Sequence, residues 1–286
     1  MKYRHSFHAG NFADVHKHVT LVALLQALAR KDKGFLFVDT HAGRGAYDLA
    51  SAAARRGAES AGGIDRFPPG TSTGQPEIDA WLEAVAAFRK ARHERHAYPG
   101  SPLLARHFLR PQDRAQLVEA DAGEHVELRR ELRDWPRVVV ENGDGFARAI
   151  AGMPPIERRA LVLVDPPYED TRADFDRAAA TAKAVLERFP TGVIAIWYPI
   201  KLERDTTRWL EALAARVAPR PLLAAELWIH PRDSRVGLNG SGMAIVNAPF
   251  RLDERMRAWL PVLHQSLAAP GQGGWDLRTW GSEGVG

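Results

Sequence analysis

The chain reads as an α/β protein on a mostly parallel seven-stranded sheet, with an antiparallel edge and a helical insertion. Three observations predict this. Short apolar runs alternate with amphipathic stretches from residue 35 to residue 217, as a parallel sheet joined by helical crossovers requires. Runs such as "ALVLVD" (160–165) are continuously apolar, which fits strands buried on both faces. The last two runs, "LLAAELWI" (222–229) and "GMAIVN" (242–247), have no long helix between them, so they are expected to pair antiparallel.

The elements follow in order. Phe12, Val15, Val19, Val22, Leu25 and Leu28 recur at helical spacing and predict a helix over 12–30. Asn11 is its expected cap, and Asp14 suits the positive end of the helix dipole. "FLFVD" (35–39) is a strand, "THAGRG" a glycine loop, and 46–56 a helix. "GAESAGGIDRFPPGTSTG" (57–74) is a loop by composition, and an amphipathic helix over 76–93 follows. "YPGS" restarts the chain, with Ser101 as N-cap and Pro102 opening a helix to 109. Further strands are read at 115–119, 137–141, 160–165 and 193–198, each followed by a helical stretch. The expected organisation is one α/β domain over 1–56 and 98–270, a helical insertion over 57–97, and a flexible glycine-rich tail over 271–286.

Composition bounds the chemistry. Of 286 residues, 45 % are hydrophobic and 26 % charged, enough for a sizeable core. The formal charge is +4 and the sequence pI about 9.5, which permits a polyanionic partner without requiring one. There are no cysteines, so disulfides, thiolate metal sites and cysteine nucleophiles are excluded. No secretory signal is visible and "VTLVALLQALA" is too short to span a bilayer; a cytoplasmic monomer is expected.

Ligands of open α/β sheets bind beyond the carboxyl ends of the strands. Those ends carry Asp39, His41, Gly43, Arg44 and Gly45 after the first strand, Glu119 after the second, Asp144 and Gly145 after the third, and "DPPY" (Asp165–Tyr168) after the fourth. Repeated acids with no P-loop lysine disfavour a phosphate site. They favour a cationic ligand with hydroxyls, and S-adenosylmethionine is one. Glu119 is placed to accept both ribose hydroxyl protons, and Gly43 and Gly45 allow close backbone approach.

"DPPY" after an apolar strand is the sharpest signal. The lone pair of an exocyclic base amine is delocalised into its ring, so the amine is a poor nucleophile. The Asp165 carboxylate and the Pro166 carbonyl, each accepting an N–H, localise that lone pair toward a methyl donor. The prolines orient both acceptors beforehand. Tyr168 is expected to stack on a flipped base. Methylation at pyrimidine carbon 5 normally needs a cysteine, and this chain has none.

With "YRHSFHAGNFADVHKH" (3–18), "DTHAG", "YPGSP", "DPPYE", "WYP" and "SGM", the chain resembles the RlmJ family of bacterial 23S rRNA adenine-N6 methyltransferases, which act on adenine 2030. The resemblance runs from the N-terminus to about residue 265. It implies a Rossmann-like class I methyltransferase fold. It also implies donor contacts from Lys17 or His18, His41, Ser101, Glu119, Asp144, Gly145 and Asp165. Asp165 would be the catalytic acceptor, and Tyr3 would lie against the 23S rRNA. Apart from the resemblance, the basic N-terminal residues Lys2 and Arg4 are expected to contact the RNA. Other readings stay open here: a DNA adenine-N6 or protein-glutamine methyltransferase, or a non-catalytic RNA-binding assembly protein.

Four of the eleven histidines fall within residues 3–18. His16 and His18 are two apart and cannot form a paired i, i+4 metal motif. No metal is expected. Asp14 and His18 share a helix face, and Lys17 and His18 read, from spacing alone, as solvent-facing. His5 and His8 have no assigned role.

Overall fold

A computed structural model describes residues 8–232, 234 and 237–281, apart from the side chain of residue 53. Helix α1 (Phe12–Ala29) leads into β1 (Leu36–Asp39). Next come β2 (Ala46–Asp48), α2 (Ala52–Gly57), two 3-10 turns (Glu59–Gly62 and Ile64–Arg66), α3 (Pro76–Arg92), β3 (Ala97–Pro99) and α4 (Ser101–Phe108). Strands and helices then alternate through β4 (Arg114–Glu119), α5 (Ala122–Glu131), β5 (Val138–Asn142), α6 (Gly145–Ala151), β6 (Ala160–Val164), α7 (Thr171–Arg188), β7 (Val193–Ile200) and α8 (Glu203–Val217). The chain ends with β8 (Leu222–Trp228), β9 (Gly240–Val246), α9 (Leu252–Leu267) and β10 (Gly274–Trp280).

Among the described residues the main sheet has eight strands, ordered β10-β8-β9-β7-β6-β1-β4-β5. Strands β5, β4, β1, β6 and β7 are parallel, and β9 enters antiparallel between β7 and β8. The strand order reverses at β1, which pairs with β4 on one side and β6 on the other. That reversal places the ends of β1 and β6 side by side, where a crevice opens in such sheets.

Side chains alternate across the pleat. Leu161 and Leu163 of β6 join a core shared with α1, α3, α4 and α9. Val162 and Val164 join a second core with α6, α7 and α8. The result is a three-layer α/β/α arrangement. No helix among the described residues is long and apolar enough to cross a membrane.

Three expectations are corrected. The stretch 274–280 is not a flexible tail: it is strand β10, antiparallel to β8, which raises the sheet from seven strands to eight. It covers an otherwise open edge, buries Leu277, and brings Arg278 to 2.8 Å from the buried Glu226 carboxylate. The helix expected over 46–56 begins only at Ala52, because residues 46–48 pair with β3 across the intervening insertion. Helix α1 has no solvated stripe through its first turns, since every residue from Phe12 to Leu25 is buried. Helices α3, α4 and α9 cover the sides that spacing would leave to water, with Trp81 and Trp259 fully buried in that packing. Residues 57–97 also send Ile64, Phe67 and Ile78 into this core.

Candidate active site

The ends of β1, β4, β5 and β6 bring four acids to one rim. Asp39 ends β1 and is completely buried. The Ser101 hydroxyl donates to its Oδ2 at 2.6 Å and the His41 amide to its Oδ1 at 3.2 Å. Burial pushes the Asp39 carboxyl up to about 7, and the negative charge of Asp165 adds to this against Ser101. Ser101 is not the N-cap of α4. Gly100 occupies that position and Ser101 lies within the first turn, which leaves its hydroxyl for Asp39.

A stability prediction follows from Asp39. The unfolded chain gives up this proton near the ordinary value of 3.8, whereas the folded chain keeps it up to about 7. The favourable contribution is therefore complete below pH 4 and is lost as pH rises toward 7. The stability of Asp39→Asn relative to wild type should rise across that window and level off above it. Urea denaturation from pH 4.5 to 8 measures this.

Glu119 ends β4, and its two oxygens accept the amides of Gly43 at 2.8 Å and Asp121 at 2.7 Å. Burial raises its pKa against those bonds. Each oxygen keeps a second lone pair for a ligand hydroxyl. Gly43 has φ +62, and a Cβ there would sit 2.3 Å from the Tyr47 hydroxyl. Only glycine lets the loop amide turn toward Glu119.

His41 follows Asp39 and is half-buried, edge-on to Phe146 at 4.8 Å. Burial pushes its imidazole down to about 4, so the ring is neutral at ordinary pH. The Thr40 hydroxyl donates to the Leu163 carbonyl at 3.1 Å and accepts from His41 Nδ1–H at 2.7 Å. Nε2 is thereby left with its lone pair.

Asp144 is exposed. It caps α6 through the Phe146 amide at 3.0 Å and accepts from Arg177 at 2.8 Å. The Arg177 guanidinium lies over the Phe146 ring, 4.2 Å from its centroid. A Cβ at Gly145 would come 1.7 Å from the Thr40 carbonyl, so glycine there lets α6 pack on the end of β1.

Asp165 follows β6 and its side chain is 13 % exposed. Lys17 Nζ lies 2.6 Å from its Oδ2 and 2.8 Å from Asp14 Oδ1, with Lys17 and Asp14 both buried. Burial by itself would lower the ammonium's pKa; Asp14 and Asp165 outweigh it and hold that pKa well above the ordinary value. Oδ1 of Asp165 accepts no hydrogen bond among the described residues.

Lys17 and His18 therefore do not face solvent. Lys17 reaches the site through Asp165. His18 is 1 % exposed, with Nδ1 2.8 Å from the Tyr98 hydroxyl, so in this structure it backs the cleft rather than lining it. The packing of α3 and α4 over α1 is the physical reason.

Tyr168 is also corrected. It is buried, with φ 52 in the left-handed region. After two prolines this turn sends the ring inward against Phe175 at 5.0 Å and Trp197 at 5.5 Å. Its hydroxyl donates to the Trp197 carbonyl at 2.6 Å. The ring offers no open stacking face; it supports the turn, and strain of this kind clusters at functional sites.

The aromatic surface beside Asp165 is Trp197, to which the sequence reading assigned no role. The register Val164↔Ile196 places Trp197 next to Asp165 on β7. The indole is half-buried, and Lys17 Nζ stands 5.9 Å from its centroid. Its Nε1–H donates to Ser241 Oγ at 2.9 Å, and His16 Nδ1 meets the same hydroxyl at 3.0 Å. Burial drives His16 down to about 3, keeping it neutral. "WYP" and "SGM" marked both positions, but nothing local showed that β7 and β9 would bring them to α1. Among the described residues no cluster of histidine or carboxylate side chains is arranged to hold a metal ion. Tyr3, Arg4 and His5 lie outside the described residues.

The family model described as "Ribosomal RNA large subunit methyltransferase D, RlmJ" matches residues 32–281. The Ribosomal RNA large subunit methyltransferase J of Escherichia coli (strain K12) is 40 % identical over 273 residues, covering 96 % of each chain. The Haemophilus influenzae protein of the same name is 38 % identical over 278 residues, covering 97 % of this chain and 98 % of its own. Among solved structures, protein LPL1258 from Legionella pneumophila superposes with a TM-score of 0.85 at 28 % identity, covering 96 % of this chain and 99 % of its own. On a family match spanning most of its length and these full-length relatives, the chain belongs to the RlmJ family of large-subunit ribosomal RNA methyltransferases.

Proposed function

We propose that the protein methylates the exocyclic N6 amine of an adenine in 23S rRNA, adenine 2030 by the family resemblance, using S-adenosylmethionine. One observation carries the reading. At the topological switch point, Asp165 presents an Oδ1 that accepts no hydrogen bond among the described residues, while Lys17 fixes its Oδ2, beside the Pro166 backbone and the Trp197 indole. That is an acceptor pair and an aromatic face suited to a base bearing an amine.

The donor set fits the cofactor. Glu119 suits ribose hydroxyls, and Gly43 leaves room that a Cβ would fill against Tyr47. Ser101 and Asp39 form a buried polar pair on the same rim, and the glycine loop carries no P-loop lysine. When bound, S-adenosylmethionine supplies an electrophilic methyl group on a sulfonium. Glu119, His41, Gly43 and Ser101 would hold it, together with Asp144 and Gly145 at the head of α6. Lys17 and His18 act from behind that surface.

The chain's own residues do the rest. Asp165 Oδ1 and the Pro166 carbonyl accept the two N–H protons of the amine and localise its lone pair. Lys17 holds the carboxylate in place through its Oδ2, and Asp165 accepts the proton that the methylated amine sheds. Trp197 supplies the stacking face first expected of Tyr168. Tyr3 and Arg4 are assigned to the RNA, whose binding should weaken with salt.

The experiment is methyl transfer from radiolabelled donor to protein-free 23S rRNA, intact large subunits or DNA. Label is expected in ribosomal RNA and absent from DNA; label in DNA alone overturns the substrate. Mass spectrometry of rRNA from a deletion strain should show one lost methyl, at adenine 2030.

A further inference from the structure

The N-terminal histidines include His8, to which neither spacing nor resemblance assigned a role. Its Nδ1 lies 2.8 Å from Glu59 Oε1, and the other oxygen of Glu59 accepts from Asn11 Nδ2 at 2.8 Å. One carboxylate from the first 3-10 turn thus spans both ends of the turn that opens α1. The backbone repeats the attachment. The Ile64 amide donates to the Gly10 carbonyl at 2.8 Å, and a Cβ at Gly63 would come 1.9 Å from that carbonyl. Gly10 has φ +76, a conformation that side chains other than glycine rarely adopt.

This turn connects to the reacting end of the site by consecutive polar contacts. Asn11 Oδ1 accepts the Asp14 amide at 2.9 Å, and Asp14 Oδ2 accepts the Gly10 amide at 2.9 Å. Asp14 Oδ1 holds Lys17 at 2.8 Å, and Lys17 holds Asp165 at 2.6 Å. Beyond Glu59 the contacts run through buried side chains, where such bonds are strong and each depends on its neighbour's position.

We propose that Glu59 is a positioning residue for Asp165: by clamping the His8–Asn11 turn it sets, through Asn11, Asp14 and Lys17, where the Asp165 carboxylate stands. The inference rests on the reading of Asp165 as the acceptor. Glu59 itself lies in the insertion and bears on Asp165 through this chain of contacts.

The clamp carries a chemical signature. The hydrogen bond that His8 donates to Glu59 raises the His8 pKa above its ordinary value against partial burial, and the charges of Glu59 and Asp14, which both face the ring, act in the same direction. The ionic form of the clamp is complete below the ordinary value of 6.5 and is lost as pH rises through the raised one. A glutamine at position 59 accepts one bond and donates one. It satisfies Asn11 and a neutral His8, which accepts at Nδ1, but it cannot satisfy Asn11 and an imidazolium, which both donate.

The test uses the full chain with Glu59→Ala and Glu59→Gln. The readouts are kcat and KM for 23S rRNA methylation from pH 5.5 to 8.5, donor affinity by calorimetry, and thermal midpoint. Glu59→Ala should lower kcat about tenfold, the scale of a slightly misplaced reacting group, and leave donor affinity unchanged within about twofold. The Glu59→Gln to wild-type ratio of kcat should approach one at high pH and fall as pH drops through the His8 titration. Wild-type kcat in Glu59→Ala overturns the proposal. So does a Glu59→Gln ratio that is flat with pH, because a purely structural clamp would lower the thermal midpoint without that pH dependence. Asp165→Asn serves as control. If it keeps full activity, the reading of the acceptor fails; if it is inactive while Glu59→Ala is normal, only the clamp fails.

Discussion

Asp165→Ala should reduce methyl transfer to ribosomal RNA by about a hundred- to ten-thousand-fold, the range for removing a positioned proton acceptor. The fold should survive. Lys17 keeps Asp14 at 2.8 Å, so its buried charge is not left alone. Donor affinity should fall far less, because Asp165 is one donor contact among several and Glu119 and Gly43 hold their own contacts at the ends of other elements. The loss should therefore appear in kcat, as expected for an interaction realised in the transition state. Single-turnover methylation with circular dichroism of the variant checks both halves. A folded Asp165→Ala protein with full activity would sink the mechanism.

Lys17→Met should have the largest effect on stability. It leaves Asp14 and Asp165 facing each other in a buried site with no cation between them. Removing one partner of a buried pair costs about 3–5 kcal/mol, a fall in thermal midpoint of roughly 10 °C for a protein of this size. Activity should fall as well, since the Asp165 carboxylate loses the group that aims it. Asp14→Asn combined with Lys17→Met should recover much of the stability, because one of the two stranded charges is then neutral, but it should not recover the activity. Calorimetry of the two single variants and the double variant, treated as a cycle, separates the terms. A Lys17→Met protein as stable as wild type would mean that the lysine carries no structural charge pairing.

The two variants differ in what could be foreseen. Asp165 follows a continuous apolar strand and precedes two prolines, so its location at a strand end was legible in the chain. Lys17 was not. It sits on a helix whose apolar positions recur at ordinary spacing, and that pattern assigns the remaining positions to water. The pattern holds only when one face of a helix is covered. Here α3, α4 and α9 close over the other faces, and the lysine is stable inside because two acids meet it there. Tyr168 and Trp197 show the same limit. Both are aromatic residues near the turn that follows β6, and which one keeps an open face depends on the left-handed φ at Tyr168 and on the register of β7 against β6.

What the sequence determines by itself is what local patterning can encode. Apolar runs alternating with amphipathic helices impose a parallel sheet, acids and glycines fall at the carboxyl ends of its strands, and the absence of cysteine excludes a cysteine nucleophile. The tertiary structure alone decides which of those groups meet. Pairing of β2 with β3, docking of β10 on β8, the Ser101–Asp39 bond, and the run from Glu59 through Asp14 and Lys17 to Asp165 all join residues far apart in the chain. Their formation depends on the closing of a three-layer core, and no short window of sequence contains both partners.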